Sequence, residues 1–185
     1  MKKCRIIAGT LKHRYIIAPD TSSTRPTSDI VKQSIFNVLI HRFYVNFEKT
    51  FVVDLFAGSG SLGIEAISLG CKNVVFVDSN KKAIECIKQN LQSLQVEIFS
   101  KVISQSAEKI SDSMFLTFAK NYSNALVFLD PPYAEKELLC RQIARFSELF
   151  KSKNLLIIAE SDKEYANATY MIQHGYTRVN ILHLY

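Results

Sequence analysis

FVVDLFAGSGSLGIEA, residues 51–66, reads as a buried strand that ends on an acid, then a glycine-rich turn and the start of a helix. The run before Asp54 is wholly apolar, as a strand covered on both faces must be. Gly58, Gly60 and Gly63 follow with the G-x-G-x-x-G spacing that brings backbone N–H groups at a helix N-terminus close to a ligand. The same alternation continues along the chain. Strands are expected at 50–54, 73–78, 97–103, 125–130 and 155–160, with helices near 61–69, 80–93, 107–120 and 136–150. Short apolar runs alternating with amphipathic helices predict an α/β fold with a doubly wound, mostly parallel sheet. The closing stretch TYMIQHGYTRVNILHLY differs, with two β-like runs around His174-Gly175 that predict a terminal antiparallel pair.

Before residue 48 the chain follows another pattern. CRIIAGTLKHRYIIA, residues 4–18, is expected to form a β-hairpin turning at Ala8-Gly9-Thr10. Two prolines and many hydroxyls make 19–28 a loop. Ser28 is placed to cap a helix whose apolar residues Val31, Ile35, Val38 and Leu39 recur at helical spacing. Residues 1–48 are therefore expected to form a small hairpin–loop–helix extension, and 49–185 the main domain. The formal net charge of the 185 residues is +6. Residues 1–50 hold nine Lys/Arg against three acids, while positive and negative charges cancel over the remainder. A basic arm of this kind suits contact with a polyanion. The four cysteines form no CxxC pair and lie in no metal-ligand pattern, so reduced thiols in a cytoplasmic protein and no metal are expected. No apolar run approaches the roughly 20 residues of a membrane span.

The acids at the strand ends carry the chemistry. In an open α/β sheet, ligands lie outside the carboxyl ends of the strands. Asp54 opens there, and Leu55, Phe56 and Ala57 separate it from the glycines. A carboxylate is a poor neighbour for a pyrophosphate and a good one for a cation. S-adenosylmethionine, with an ammonium and a sulfonium and no phosphate, fits better than a dinucleotide. Asp78 ends the second strand 18 residues after Gly60, near the spacing of a ribose-binding acid. Ser79 or Asn80 can cap the helix that follows. Gln105 and Ser106, after the third strand, are candidates for reading an adenine edge.

NALVFLDPPYAE, residues 124–135, ends the fourth strand on Asp130 in the same crevice. Pro131 and Pro132 fix φ and donate no N–H. The Asp130 carboxylate and the Pro131 carbonyl are then two rigid acceptors for the hydrogens of an exocyclic base amine. Tyr133 offers a stacking face. Acceptors on both hydrogens favour a pyramidal nitrogen whose lone pair can attack a sulfonium methyl, with positioning as the main contribution.

RIIAGTLKHRYI, RPTSDIVKQSIFNVL, FVVDLFAGSGSLGIEA, FVDSN and VFLDPPY together resemble the RsmD family of bacterial 16S ribosomal RNA guanine-N2 methyltransferases. The likeness extends over nearly the whole chain. It implies a Rossmann-like class I methyltransferase domain that uses S-adenosylmethionine. It implies cofactor contacts at Asp54, Gly58, Ser59, Gly60 and Asp78; Phe56, Ala57, Ser79, Ser106 and Asn37 are further candidates, as is Gln105, which stands where the family usually has Asp or Asn. Asp130, Pro131, Pro132 and Tyr133 would place the target amine, and the basic arm, with Arg5, Lys12, Arg14, Arg25 and Thr27 as candidate contacts, would hold the RNA. The expected partner is 16S ribosomal RNA in an assembling or assembled small subunit, and the expected oligomeric state is a monomer. Adenine N6 in DNA or RNA would satisfy the same acceptors. A non-catalytic RNA-binding assembly factor would keep the arm without needing the acids, and a nicotinamide oxidoreductase would keep the glycines alone.

Overall fold

The computed structural model of the chain describes residues 3–19, 27–131, 136–162, 165 and 167–184. The hairpin pairs β1 (Lys3–Arg5) with β2 (Tyr15–Ile17), and α1 (Asp29–His41) follows. The main alternation is β3 (Thr50–Asp54), α2 (Ser61–Ser68), β4 (Val74–Asp78), α3 (Lys81–Leu94), β5 (Ser100–Ser104), α4 (Asp112–Ala119), β6 (Asn124–Leu129), α5 (Lys136–Leu149) and β7 (Asn154–Ser161). β8 (Tyr170–His174) and β9 (Thr177–Leu184) close the described chain. The seven-stranded sheet has the order β5-β4-β3-β6-β7-β9-β8. Its first five members in that order are parallel neighbours, and β9 and β8 add the antiparallel pair.

The period-two alternation of the strands builds one core on each face. Val52, Phe76, Phe128 and Ile158 point to the face covered by α1, α2, α3 and the hairpin. Phe51, Val53, Val75, Val127 and Ile157 point to the other, against α4 and α5. Two expected elements are shorter than their sequence suggests. Residues 97–99 form a 3-10 turn, and the strand begins at Ser100. The expected helix 107–120 is broken into a 3-10 turn, Ala107–Lys109, and α4. The break has a partner: Arg145 donates to the carbonyls of Ala107 and Ile110, at 2.7 and 2.5 Å, so those groups are bound outside any helix.

A buried ion pair docks the hairpin and α1 onto α2. Glu65, the one ionisable residue of α2, is fully buried, and its carboxylate accepts the N–H groups of Ile7 (2.8 Å) and Ala8 (3.3 Å). Lys32, equally buried, donates from Nζ to Glu65 (3.3 Å) and to the Arg5 carbonyl (2.5 Å). Burial pushes the Glu65 carboxyl above its ordinary range, opposed first by the Ile7 N–H and then by Lys32. At the far end of α2, Ser68 binds Ala8, Thr10 and Leu11. Gly9 lies so close there that a Cβ would sit 1.9 Å from the Ser68 carbonyl oxygen.

Removing one partner of a buried ion pair leaves an uncompensated charge, which costs about 3–5 kcal/mol. Lys32→Met is expected to lower unfolding stability by that amount in a urea titration. The double variant Lys32→Met/Glu65→Gln is expected to lose less than the sum of its singles.

Candidate active site

Register sets the site. Asp54 on β3 is level with Phe76 on β4 and Phe128 on β6, and Phe128 is level with Ile158 on β7. Asp78, Asp130 and Glu160 each lie two residues further on, so they form a row about 6.6 Å beyond Asp54. All four share the parity of the residues that face α1–α3. The sheet therefore brings four carboxyl groups to one face of its carboxyl edge.

Asp54 is 3% exposed. Its Oδ2 accepts the Gly63 N–H at 3.0 Å, in the first turn of α2. Burial pushes its pKa up to about 7, the Gly63 N–H lowers it, and nearby Asp78 raises it. Asp78 is more open, and its oxygens accept the N–H groups of Gly58 (2.9 Å) and Asn80 (2.8 Å). Each oxygen keeps a second lone pair for a hydroxyl. Asn80, rather than Ser79, caps α3 by accepting the Lys82 N–H. Asp130 is held well above the ordinary carboxylate range, first by burial, then by Glu160 and Asp54.

The glycine turn is built for close approach. Gly58 and Gly60 take left-handed φ values of 54° and 77°, which side chains resist. A Cβ on Gly58 would meet nothing within 4 Å, so this backbone borders open space. Ala57 N–H is held by the Val77 carbonyl and the Ser59 carbonyl by Asn90, while Phe56 packs on the opposite core. Gly60 instead packs on Phe76 and Ile87, so the open space lies beside Gly58, between the buried Asp54 and the more open Asp78, where a ligand with cationic and hydroxyl groups fits.

The remaining expected residues divide by position. Gln105 is exposed and Ser106 partly exposed, both just past β5 on the same edge. Pro131 is buried directly after Asp130. Thr27 precedes the Ser28 cap of α1. Arg25, Pro132 and Tyr133 lie outside the described residues. Asn37 is not brought to the crevice: it sits on the exposed face of α1, in the half nearer the amino edge. Arg5 pairs with Asp29 (3.4 Å), and Arg14 donates to the Ser93 carbonyl (2.8 Å) at the end of α3. Lys12 is exposed on the hairpin turn beside the C-terminus of α2. Lys12 and Arg14 thus stand at the amino-edge end of the face, a helix length from the acids.

Two residues gain importance only in three dimensions. Glu160 was readable solely as the end of a strand, yet it stands beside Asp130. Asn90, 2% exposed, donates to the carbonyls of Ser59 (3.0 Å) and Ile17 (2.9 Å) and accepts the Ile17 N–H (2.9 Å). It joins the hairpin to the glycine turn. Its signal in the sequence is a polar side chain in the apolar stripe Ile84, Ile87, Leu91, Leu94 of α3.

Comparison with known proteins shows the family and the fold. A family model described as conserved hypothetical protein 95 matches residues 4–180. "Ribosomal RNA small subunit methyltransferase D" of Haemophilus influenzae is 37% identical over 170 residues, covering 86% of this chain and 79% of that protein. A hypothetical protein from Thermus thermophilus superposes with a TM-score of 0.70 at 24% identity, covering 97% of this chain and 98% of that one. An RNA methyltransferase from Salinibacter ruber, solved with S-adenosyl-L-homocysteine, shares the fold with a TM-score of 0.62 at 13% identity, covering 86% and 94%. The chain belongs to the conserved hypothetical protein 95 family, which is the RsmD family that its motifs resemble.

Proposed function

We propose that the protein transfers the methyl group of S-adenosylmethionine to the exocyclic N2 of a guanine in 16S ribosomal RNA, within an assembling or assembled small subunit. The observation that carries the reading is the placement of Asp130 and Glu160 side by side, in one row with Asp78 at the edge that carries the glycine turn. The relatives support the reaction class, since the Haemophilus influenzae protein is named a ribosomal RNA small subunit methyltransferase.

When bound, the cofactor supplies an electrophilic methyl group. The residues of the chain do the rest. The Gly58–Gly60 turn takes the cofactor close to its backbone, and Asp78 accepts from the ribose hydroxyls. Asp54 places a buried carboxyl where the cationic end can draw it into its ionised form. Asp130 and the Pro131 carbonyl accept the amine hydrogens and aim the nitrogen lone pair. Growing positive charge on that nitrogen is met by carboxylates already in place, which lowers the barrier without reorganisation. Asp130, directly or through water, takes the released proton. Two adjacent carboxyl groups also favour guanine, whose Watson–Crick edge carries neighbouring donors at N1 and N2. Adenine offers an acceptor at N1 beside its amine. The base reaches Asp130 by leaving its stack. The basic hairpin holds flanking phosphates, and RNA that touches both Lys12 and Asp130 runs down the α2–α3 face.

Ionised Asp54 binds a cation better than neutral Asp54. Cofactor affinity is therefore expected to rise as pH passes through about 7, measured by calorimetric titration, and to lose this rise in Asp54→Asn. Asp130→Ala is expected to keep cofactor affinity and lose about 100-fold or more in turnover. Near-normal turnover would remove Asp130 from the mechanism. The ionised carboxylate is the active form, so kcat should climb with pH in the wild type. Glu160→Gln removes the like charge that raises Asp130, and should move that climb to lower pH.

A further inference from the structure

The terminal hairpin belongs to the same edge as the acids. Val179 on β9 is level with Glu160, and Thr177 lies two residues further out, paired with His174. The apex, Gly175-Tyr176, thus projects about 7 Å past the row of carboxyl groups, two strands or about 10 Å to the side of β6. Gly175 has φ +59° while Tyr176 is not left-handed, the φ signs of a type II′ turn with glycine at its first central position. A two-residue turn of this kind holds the backbone of its second residue with little freedom to lose.

Tyr176 is fully exposed at this apex. The tip is braced from both sides: His174 Nε2 and Ser34 Oγ on α1 are 2.8 Å apart, and Arg178 donates to the Asp162 carbonyl. One helical turn before Ser34, about 6 Å nearer the rim, α1 carries Ile30, 63% exposed. The Arg42 guanidinium lies over the Tyr170 ring at 4.6 Å, which fixes α1 antiparallel to β8 with its N-terminus at the carboxyl edge. An exposed aromatic ring thus stands on a rigid support beside a crevice that must receive an extruded base. A protein-docking face would need a contiguous apolar patch. Here the flanking residues are Gln173, His174, Thr177 and Arg178, a polar and basic setting that suits nucleic acid.

We propose that Tyr176 is a stacking platform for an unpaired base next to the target nucleotide, with Ile30 as its apolar neighbour on the same rim. The inference rests on the RNA methyl-transfer reading and adds a contact at the carboxyl edge to the RNA path, a helix length from the basic hairpin at the amino edge.

The chain supplies its own control. Tyr44 is 82% exposed but follows the C-terminal end of α1, at the amino edge. It adopts φ +50°, a conformation that asparagine tolerates. Labelled small-subunit ribosomal RNA would be titrated at fixed salt against the wild type, Tyr176→Ala, Tyr176→Phe and Tyr44→Asn, with cofactor affinity and thermal stability measured on each. Tyr176→Ala is expected to raise the RNA Kd roughly tenfold, in line with the loss of one stacked base. Tyr176→Phe is expected to restore it, and Tyr44→Asn to match the wild type. Cofactor affinity should be unchanged in all. Wild-type RNA affinity in Tyr176→Ala, or an equal loss in Tyr44→Asn, overturns the proposal. Methylation is followed in the same samples. A wild type that binds RNA but transfers no methyl group would remove the methyl-transfer reading, while the binding comparison would still decide the role of Tyr176.

Discussion

Because β4, β3, β6 and β7 run parallel, their carboxyl ends meet along one edge, and the pleat turns Asp54, Asp78, Asp130 and Glu160 to one face of it. Like charges gathered in this way repel, and burial adds to the cost. The fold meets part of that cost with backbone donors: Gly63 for Asp54, and Gly58 with Asn80 for Asp78. What remains shows in the raised pKa values of Asp54 and Asp130. A cationic ligand relieves this strain, and an amine that must shed a proton can use the same groups. Selectivity for a positively charged cofactor and readiness for base chemistry thus have one origin in parallel pairing.

The N-terminal extension depends on the same helices that carry the glycine turn. Glu65 and Ser68 on α2, and Asn90 on α3, bind the hairpin backbone at Ile7, Ala8, Leu11 and Ile17. Ile16, Ile35 and Phe36 enter the core shared with Val52 and Phe128. The basic arm is fixed relative to the cofactor turn by buried polar groups, whose misplacement is costly. Such groups specify position as well as stability, which a site combining two large ligands requires.

The fold was legible because its signals are local. Apolar runs such as residues 125–129, helix caps such as Ser28 and Asn80, and the glycine spacing need no tertiary information. The segments that differed did so for tertiary reasons, as where Arg145 takes the carbonyls of residues 107 and 110 and interrupts a helical pattern. Asp54, Asp78 and Asp130 were legible as strand-end acids. Glu160 was legible as a strand end but not as part of the site, because only the pairing of β6 with β7 sets it beside Asp130. Nor was the reach of the arm. The sequence shows clustered charge, but the contact of Thr10 and Leu11 with Ser68 is what puts Lys12 a helix length from the acids. The role of Asn90 likewise appears only once β2 lies across α3.

The central claim is that this crevice brings a sulfonium methyl to the N2 of guanine. Its most direct test is to incubate the protein with methyl-labelled S-adenosylmethionine and unmodified small ribosomal subunits, with naked 16S RNA and duplex DNA in parallel, and to identify the labelled nucleoside by mass. The account predicts N2-methylguanosine from subunits or RNA and none from DNA. N6-methyladenine as the product, or no transfer to RNA by protein that binds the cofactor, would contradict it.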